Sequence, residues 1–466
     1  MPASAPTPRV AILGSGFSGV LTAVNLVRLG ADPTRLTLVN AGRPAARGVA
    51  YGTRRPEHLL NVAARNMSAF PDRPDDLLGW LRTRAEFDLV PDNELRERFI
   101  PRLVYGDYLR ALRHHHLAGA QHLEVEAVDV EADGTVHLAD GSRLQAERIV
   151  LATGNEAPAE LPGAAGLAMH PAWVGNPWLA WHEKLPPDTG TIVLLGTGLT
   201  TVDAVITLRA LGWLGRIHAV SRHGWLPQAH FRGIEYDAFP PPGTDLAALG
   251  LDRLVALMES HCARLRELGA NPAIIVDKLR PHTQRLWQAF SADEKRRFVR
   301  DHAARWNILR HRIAPEIHAQ LASAQLTGQL QVHAALIEQV TAAGNRVRVE
   351  LAGGRHLEGD LVLNATGPQT RFSATRSPLL QNLLHRGRIT PDELDLGLSI
   401  DADHVAIDAG GRRSPHLLAL GPLLRGTYWE TIAVPELRGQ ALRVAQTLLG
   451  QTPATSPAPV MMEYMI

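Results

Sequence analysis

TIVLLGTGLTTVDAVITLRAL, Thr191 to Leu211, is the stretch that decides the fold. TIVLL is an apolar run rich in β-formers and reads as a buried strand. VDAVITLRAL reads as a helix. Between them stands GTGLTT, Gly196 to Thr201, a glycine turn of the kind that brings backbone N–H groups and a helix N-terminus against phosphate. Arg216-Ile217-His218-Ala219-Val220 follows as the next strand, so a βαβ unit is complete. The third glycine of the usual spacing is replaced by Thr201, whose branched side chain should push helix and strand slightly apart. The strand ends in Ser221-Arg222-His223, with nothing acidic. A basic residue there suits a ribose 2′-phosphate and favours NADP over NAD; the alternative is a solvated arginine at a strand end.

A more orthodox turn opens the chain. VAILGSGFSGVLTAVNLVRLG, Val10 to Gly30, places Gly14, Ser15, Gly16, Phe17, Ser18 and Gly19 between a strand and a helix. Gly14 makes the tight turn, Gly16 admits a pyrophosphate, and Gly19 lets helix and strand pack closely. A glycine-rich turn without ligand is the competing reading. Arg35 to Val39 reads as the second strand. It ends in Asn40, where Asp or Glu usually meets the adenosine ribose.

The chain also repeats itself. LEVEAVDVEADGTVHLADGSRLQAERIVLATG closes with Thr153 and Gly154; LQVHAALIEQVTAAGNRVRVELAGGRHLEGDLVLNATG closes with Thr366 and Gly367. Each is a set of alternating strands joined by turn pairs, Asp133-Gly134 and Asp140-Gly141, then Gly344-Asn345 and Gly353-Gly354. In both, the last turn glycine stands thirteen residues before the Ala-Thr-Gly glycine. The fold class is therefore α/β, with two Rossmann-like dinucleotide-binding domains, the second inserted into the first. The boundaries read as 1–175 for the first part of the outer domain, 186–350 for the inserted domain, and 351–466 for the closing strand and the rest of the outer domain. A helical insertion spans about 245–315.

Composition narrows the function. A chain of 466 residues that is 45% hydrophobic and 20% charged fits a globular protein of two or more domains. A formal net charge of +1 and scattered arginines point away from nucleic acid. MPASAPTP holds no apolar signal core and no apolar run approaches the roughly 20 residues of a membrane helix, so a cytoplasmic protein is expected. The single cysteine, Cys262, excludes an internal disulfide or a CxxC redox pair. His114-His115-His116 lies on a probable-helix pattern that points three neighbours to different faces, so no metal is expected.

These motifs carry a resemblance. GSGFSG, GTGLTT and the two ATG strands resemble the two-dinucleotide-binding-domain flavoproteins. RPAARGVAYGTRRPEHLLNVAARNMSAFPD, PRLVYGDYL, AVSRHGWLPQAH, WNILRHRIAP and ALGPLLRGTYWETIAVPELRGQA together resemble a bacterial group of FAD/NAD(P)-binding proteins similar to class B flavoprotein monooxygenases, N-hydroxylating ones included. The resemblance runs from Arg9 to the mid-440s. It implies FAD at the first turn and NADP at Gly196, Thr197, Gly198, Leu199, Thr200 and Arg222. It implies that Asn61, Met67 and Ser68 face the flavin, an ordinary loop being the alternative. It places Gly421 beside the FAD phosphates, with Pro422 where an aspartate commonly follows. Thr431, Ile432 and Ala433 would offer backbone N–H groups to the flavin's pyrimidine end.

Trp306, Arg310, His311 and Arg312 read either as substrate or nicotinamide contacts or as a basic surface helix. The implied activity is an NADPH-using monooxygenase acting through a flavin–oxygen adduct on a small nucleophilic, amine-type substrate, with dioxygen as partner. The alternatives are an NAD(P)H oxidase or reductase, and a noncatalytic nucleotide sensor. A Baeyer–Villiger signature is not matched: LPGAAGLAMHPAW has His170 and Trp173 but lacks the phenylalanine and the spacing. No oligomeric state is implied.

Overall fold

The computed structural model describes residues 7–42, 45–231 and 235–451. The leader-free reading of residues 1–6 falls outside them. The first βαβ unit is β1 (Val10–Leu13), α1 (Phe17–Arg28) and β2 (Leu36–Val39). A second helix, α2 (Arg102–His116), leads to β3 (Gln121–Leu123). A meander of β4 (Ala127–Val130), β5 (Thr135–Leu138) and β6 (Arg143–Gln145) follows, and β7 (Arg148–Leu151) closes the copy. The second copy runs β8 (Trp173–Val174), β9 (Thr191–Leu195), α3 (Leu199–Ala210) and β10 (Arg216–Ser221). After a helical region come β11 (Leu330–Ala334), the meander β12 (Ile337–Ala343), β13 (Arg346–Leu351) and β14 (Arg355–Gly359), and the closing strand β15 (Leu361–Asn364).

Among the described residues the first sheet has the order β16-β17-β7-β1-β2-β3, where β16 is Val405–Ile407 and β17 is Arg413–Ala419. The second has the order β11-β10-β9-β15-β8 and is parallel throughout. The two orders share one plan. Each turn strand, β1 or β9, lies between its closing strand and its βα partner. The first sheet is completed by β17, which comes after the whole second sheet in the chain, so the second copy is inserted in the first. Every residue of β1, β2, β9 and β15 is buried, as parallel strands covered on both faces require.

Sheet membership moves the boundaries read from sequence. The chain leaves the first sheet at Leu151 and is already in the second at Trp173, so a boundary at 175 falls too late. A boundary at 351 falls too early, because β15 pairs with β8 and β9. The two residues of β8 are too few to show a period, so the sequence leaves them with the outer domain. The interval from 246 to 310 is helical, with α4 (Gly250–Glu267), α5 (Ala273–Leu279), α6 (Thr283–Ala289), a π-helical turn at Phe298–His302, and α7 (Ala303–Arg310). Trp287, Phe290 and Trp306 form part of its own apolar core. The last helix, α8 (Val434–Leu448), packs on α1 over the first sheet.

Candidate active site

The two glycine turns superpose in their details. Gly14 has φ +113° and Gly196 φ +121°, in the left-handed region where glycine is favoured. A Cβ on Gly14 would lie 2.2 Å from the carbonyl oxygen of Ala152, and one on Gly196 would lie 2.2 Å from that of Ala365. Those alanines begin the two Ala-Thr-Gly tails, so each closing strand is jammed against its own turn. The Gly14 N–H donates to Val39 O at 2.9 Å, and the Gly196 N–H to Val220 O at 2.7 Å.

The third positions differ. A Cβ on Gly19 would sit 1.8 Å from Gly14 O, so helix and turn touch there. Thr201 has a Cβ, is fully buried, and its hydroxyl donates to Gly196 O at 2.7 Å. The second helix therefore stands farther from its turn, and the hydroxyl bridges the gap. Gly16 and Gly198, which cap α1 and α3 with extended backbone, have little or nothing beside them. A Cβ at either would fill the place where a phosphate meets backbone N–H groups.

A cleft of about 630 Å³ opens beside the second turn. Its walls bring together Gly196, Thr197, Gly198, Leu199, Thr200 and Arg222 with Gly154, Thr366, Gly367 and Ile432. Arg222 is exposed and has no carboxylate partner among the described residues. The Thr197 and Ser221 hydroxyls pair at 2.8 Å, and Thr366 donates to Asn364 at 2.7 Å. The cleft also touches Pro422 and Arg425 of the outer domain, so both domains line it.

The first turn meets a different set. Gly421 abuts it: a Cβ there would lie 3.5 Å from Ser18 Oγ, and its N–H donates to Gln440 Oε1 at 2.8 Å. Ser15 Oγ on the turn and Nε2 of Gln440, which holds Gly421, are buried without a partner among the described residues, as are Asn66 Nδ2 and Thr431 Oγ1 elsewhere in the chain. Such atoms each cost about 1–3 kcal/mol unless something satisfies them. A polar, anionic ligand cradled by Gly14 to Gly19 fits the set. Thr153 is exposed at the end of the closing strand. Thr431 and Ile432 precede α8, whose N-cap is Ala433, so they approach a helix N-terminus.

Of the three residues expected at the flavin, Ser68 has its hydroxyl bonded locally, whereas Met67 and Asn61 have their backbone carbonyls bonded. The Ser68 hydroxyl donates to Arg73 O at 2.6 Å and accepts from Phe70 N at 3.1 Å, holding a turn. Met67 is buried in the main core, and its carbonyl accepts from Tyr105. Asn61 lines a small cavity with Arg102 and Asp203, and its carbonyl accepts from His230 Nε2 at 2.8 Å. Asn66, five residues on, is the buried amide with an unpartnered N–H. Nothing in the spacing of NVAARNMS distinguishes the two.

Asn40 shows another shift. Its side chain donates to Glu124 at 2.7 Å. Val39 pairs with Leu123 in register, so Glu124 is the neighbour of Asn40 across parallel strands. The carboxylate missing from β2 stands at the end of β3. That displacement was readable only from strand pairing.

The basic tract is neither a surface helix nor open to solvent. Arg312 is buried and its guanidinium reaches both Asp277 oxygens, at 2.6 and 2.7 Å. Arg310 faces Glu430 and Glu436 at 3.5 and 3.9 Å, and Trp306 donates to Glu430 at 2.9 Å. Burial would raise the Glu430 carboxyl, but Arg310, His311 and the Trp306 N–H hold it below its usual range. Burial pushes His311 down to about 4, with Arg310 adding to it. His230 goes down to about 3, through burial first and then Arg312. Neutral His230 donates from Nε2 to Asn61, leaving a buried, unpartnered Nδ1. Sequence reasoning passed over it inside SRHGWLPQAH. His114, His115 and His116 occupy the last turn of α2.

Two Rossmann-like sheets, the second inserted in the first, with matched glycine turns define the two-dinucleotide-binding-domain architecture. Residues 11–156 match a family model described as FAD-NAD(P)-binding. Among solved structures the chain is similar to an ornithine N-hydroxylase of Kutzneria sp. 744, at 15% identity over 95% of this chain and 99% of that one, with a TM-score of 0.65. It is similar to L-lysine 6-monooxygenase from Pseudomonas syringae, at 18% identity over 95% and 99%, with a TM-score of 0.66. The FAD-bound cadaverine monooxygenase of Erwinia amylovora gives 15% identity over 96% and 95%, with a TM-score of 0.59. At these identities the likeness is one of fold. No curated protein sequence matches the chain. Among the described residues no helix is long and apolar enough to cross a membrane.

Proposed function

We propose that the protein is an FAD-dependent, NADPH-using monooxygenase that hydroxylates a small amine. The observation that carries this reading is the pair of matched glycine turns, one against buried unpartnered polar atoms and one beside a cleft shared with the outer domain. FAD belongs to the first turn. Gly14 and Gly16 leave room for its pyrophosphate, and the Asn40–Glu124 pair meets its ribose. Asn66 and Thr431 offer buried hydrogen-bonding groups to its ring. NADPH belongs to the cleft, with its pyrophosphate at Gly196 to Thr200 and its 2′-phosphate at Arg222. Bound FAD supplies the electron chemistry between nicotinamide and dioxygen.

The chain's own residues do the rest. The cleft between the domains orients the nicotinamide. The buried Arg310–Glu430 contacts hold the Thr431 segment, and neutral His230 offers Nδ1 as a hydrogen-bond acceptor. The proteins of similar fold hydroxylate ornithine, lysine or are named for cadaverine, which supports an amine as substrate. A disulfide-relay activity is disfavoured because the one cysteine, Cys262, is buried in the helical region. We draw the outer domain as 7–151 with 405–451, and the inserted domain as 173–364. The cytoplasm is the proposed compartment.

The test is a balance sheet of NADPH oxidised, dioxygen consumed, hydroxylamine formed and hydrogen peroxide released, over a panel of primary amines. A hydroxylated product equal to NADPH consumed for one amine is expected. Peroxide equal to NADPH for every amine would make the protein an oxidase instead.

A further inference from the structure

The helical region carries a half-open apolar pocket of about 90 Å³ that no step above uses. Leu254 and Cys262 of α4, Trp287 of α6, Phe298 of the π-helical turn, Trp306 of α7 and Trp429 form its walls. Trp429 arrives from the segment just before Glu430 and Thr431. It stacks on Trp287 with ring centroids 5.0 Å apart, and Phe298 meets it edge-on at 5.1 Å.

Two backbone irregularities converge on this one cavity. The Phe298–His302 turn is π-helical, a form that is rare and recurs at functional sites. Trp429 has φ +60°, a conformation uncommon for any residue but glycine and costly for a bulky one. Both distortions aim large aromatic side chains at the same empty space.

The lining sets the ligand's chemistry. Its charges sit at the rim, where Arg305 and Glu259 already pair at 3.2 Å. An ion entering would find no free counter-charge, and an unpaired buried ion is costly. Indole and phenyl faces and edges favour another aromatic ring. An uncharged aromatic molecule seated between these side chains would remove apolar surface from water on both sides. We propose that this cavity is a binding site for an uncharged aromatic ligand of one or two fused rings. Its occupancy bears on Trp429 and through it on Glu430 and Thr431. The binding claim does not depend on the oxygen chemistry.

The experiment uses the full-length, purified holoprotein with 5-fluoroindole as probe, followed by ¹⁹F NMR. Saturable broadening is expected, reversed by unlabelled indole and untouched by NADP. Leu254→Trp, which fills the cavity, should weaken binding at least about tenfold. Met258→Phe, from the same helix, should weaken it in the same direction and guards against a misfolded first variant. Absence of saturable broadening in the wild type, displacement by NADP, or unchanged binding in both folded variants would each overturn the proposal.

Discussion

Asn61 and Asn66 are alike in chemistry and five residues apart, yet only Asn66 is left buried with an N–H to offer. The same sorting separates Ser68 from Ser15. The Ser68 hydroxyl closes a turn, whereas Ser15 Oγ has no partner among the described residues. Ser68→Ala should therefore lower stability by about 1–3 kcal/mol, because Phe70 N–H and Arg73 O lose their partner. Turnover per folded molecule should stay the same; urea unfolding together with steady-state kinetics checks both. Arg222→Ala should do the reverse. A charge-assisted phosphate contact is worth roughly 1.5–3 kcal/mol, or about 10- to 150-fold in affinity. The KM for NADPH should rise by that factor, while that for NADH and the melting temperature barely move. Equal changes for both nucleotides would remove Arg222 from the 2′-phosphate.

The repeated element, strand–turn–helix, tolerates different residues at its third position because the two helices stand at different distances. Gly19→Ala sets a methyl group 1.8 Å from Gly14 O and forces α1 off its turn. Overpacking of that kind costs about 1–3 kcal/mol, and here it also spoils the phosphate cradle. The variant should lose both stability and the yellow colour of bound flavin. Thr201→Ala at the matched place removes the hydroxyl that donates to Gly196 O and one buried methyl group. It should cost about 1–3 kcal/mol and leave flavin content unchanged. Flavin absorbance per chain and thermal unfolding of the two variants test the contrast. If both behave alike, the two turns do not differ as described.

Across the whole molecule, polar contacts join the two domains. Arg102 of α2 grips Asp203 of α3 at 2.5 and 3.0 Å, and His58 meets Thr207 at 2.8 Å. Buried neutral histidines make this assembly sensitive to acid. His230 is pushed to about 3, and His311 and His404 to about 4, by burial above all. Unfolded, each binds a proton near its ordinary value of about 6.5. Their stabilisation is complete above that value and is lost as pH falls from about 6.5 towards 4, where the unfolded chain binds more protons. For His404, which is 1% exposed, the loss is on the order of 1–3 kcal/mol. Asp277 and Asp392 have carboxyls raised by burial and oppose the trend at its acid end. The melting temperature should fall steadily from pH 7 to 4.5; a flat profile would mean these imidazoles are hydrated in the folded protein.

The sequence by itself determined the two βαβ units, the meanders, the Ala-Thr-Gly tails and the insertion of one copy in the other. Glycine spacing and the period of apolar residues are local, and the backbone geometry they impose at Gly14 and Gly196 is nearly the same. Only the tertiary structure decided that Glu124 stands beside Asn40, that Asn66 is buried while Asn61 is not, and that Arg310 and Arg312 are buried against acids. The reason is physical: a side chain's hydrogen-bond partners come from whichever strand or helix packs against it, and those neighbours are more than a hundred residues away for Arg310. Local pattern specifies an element, whereas contact across elements specifies what each of its polar groups is free to do.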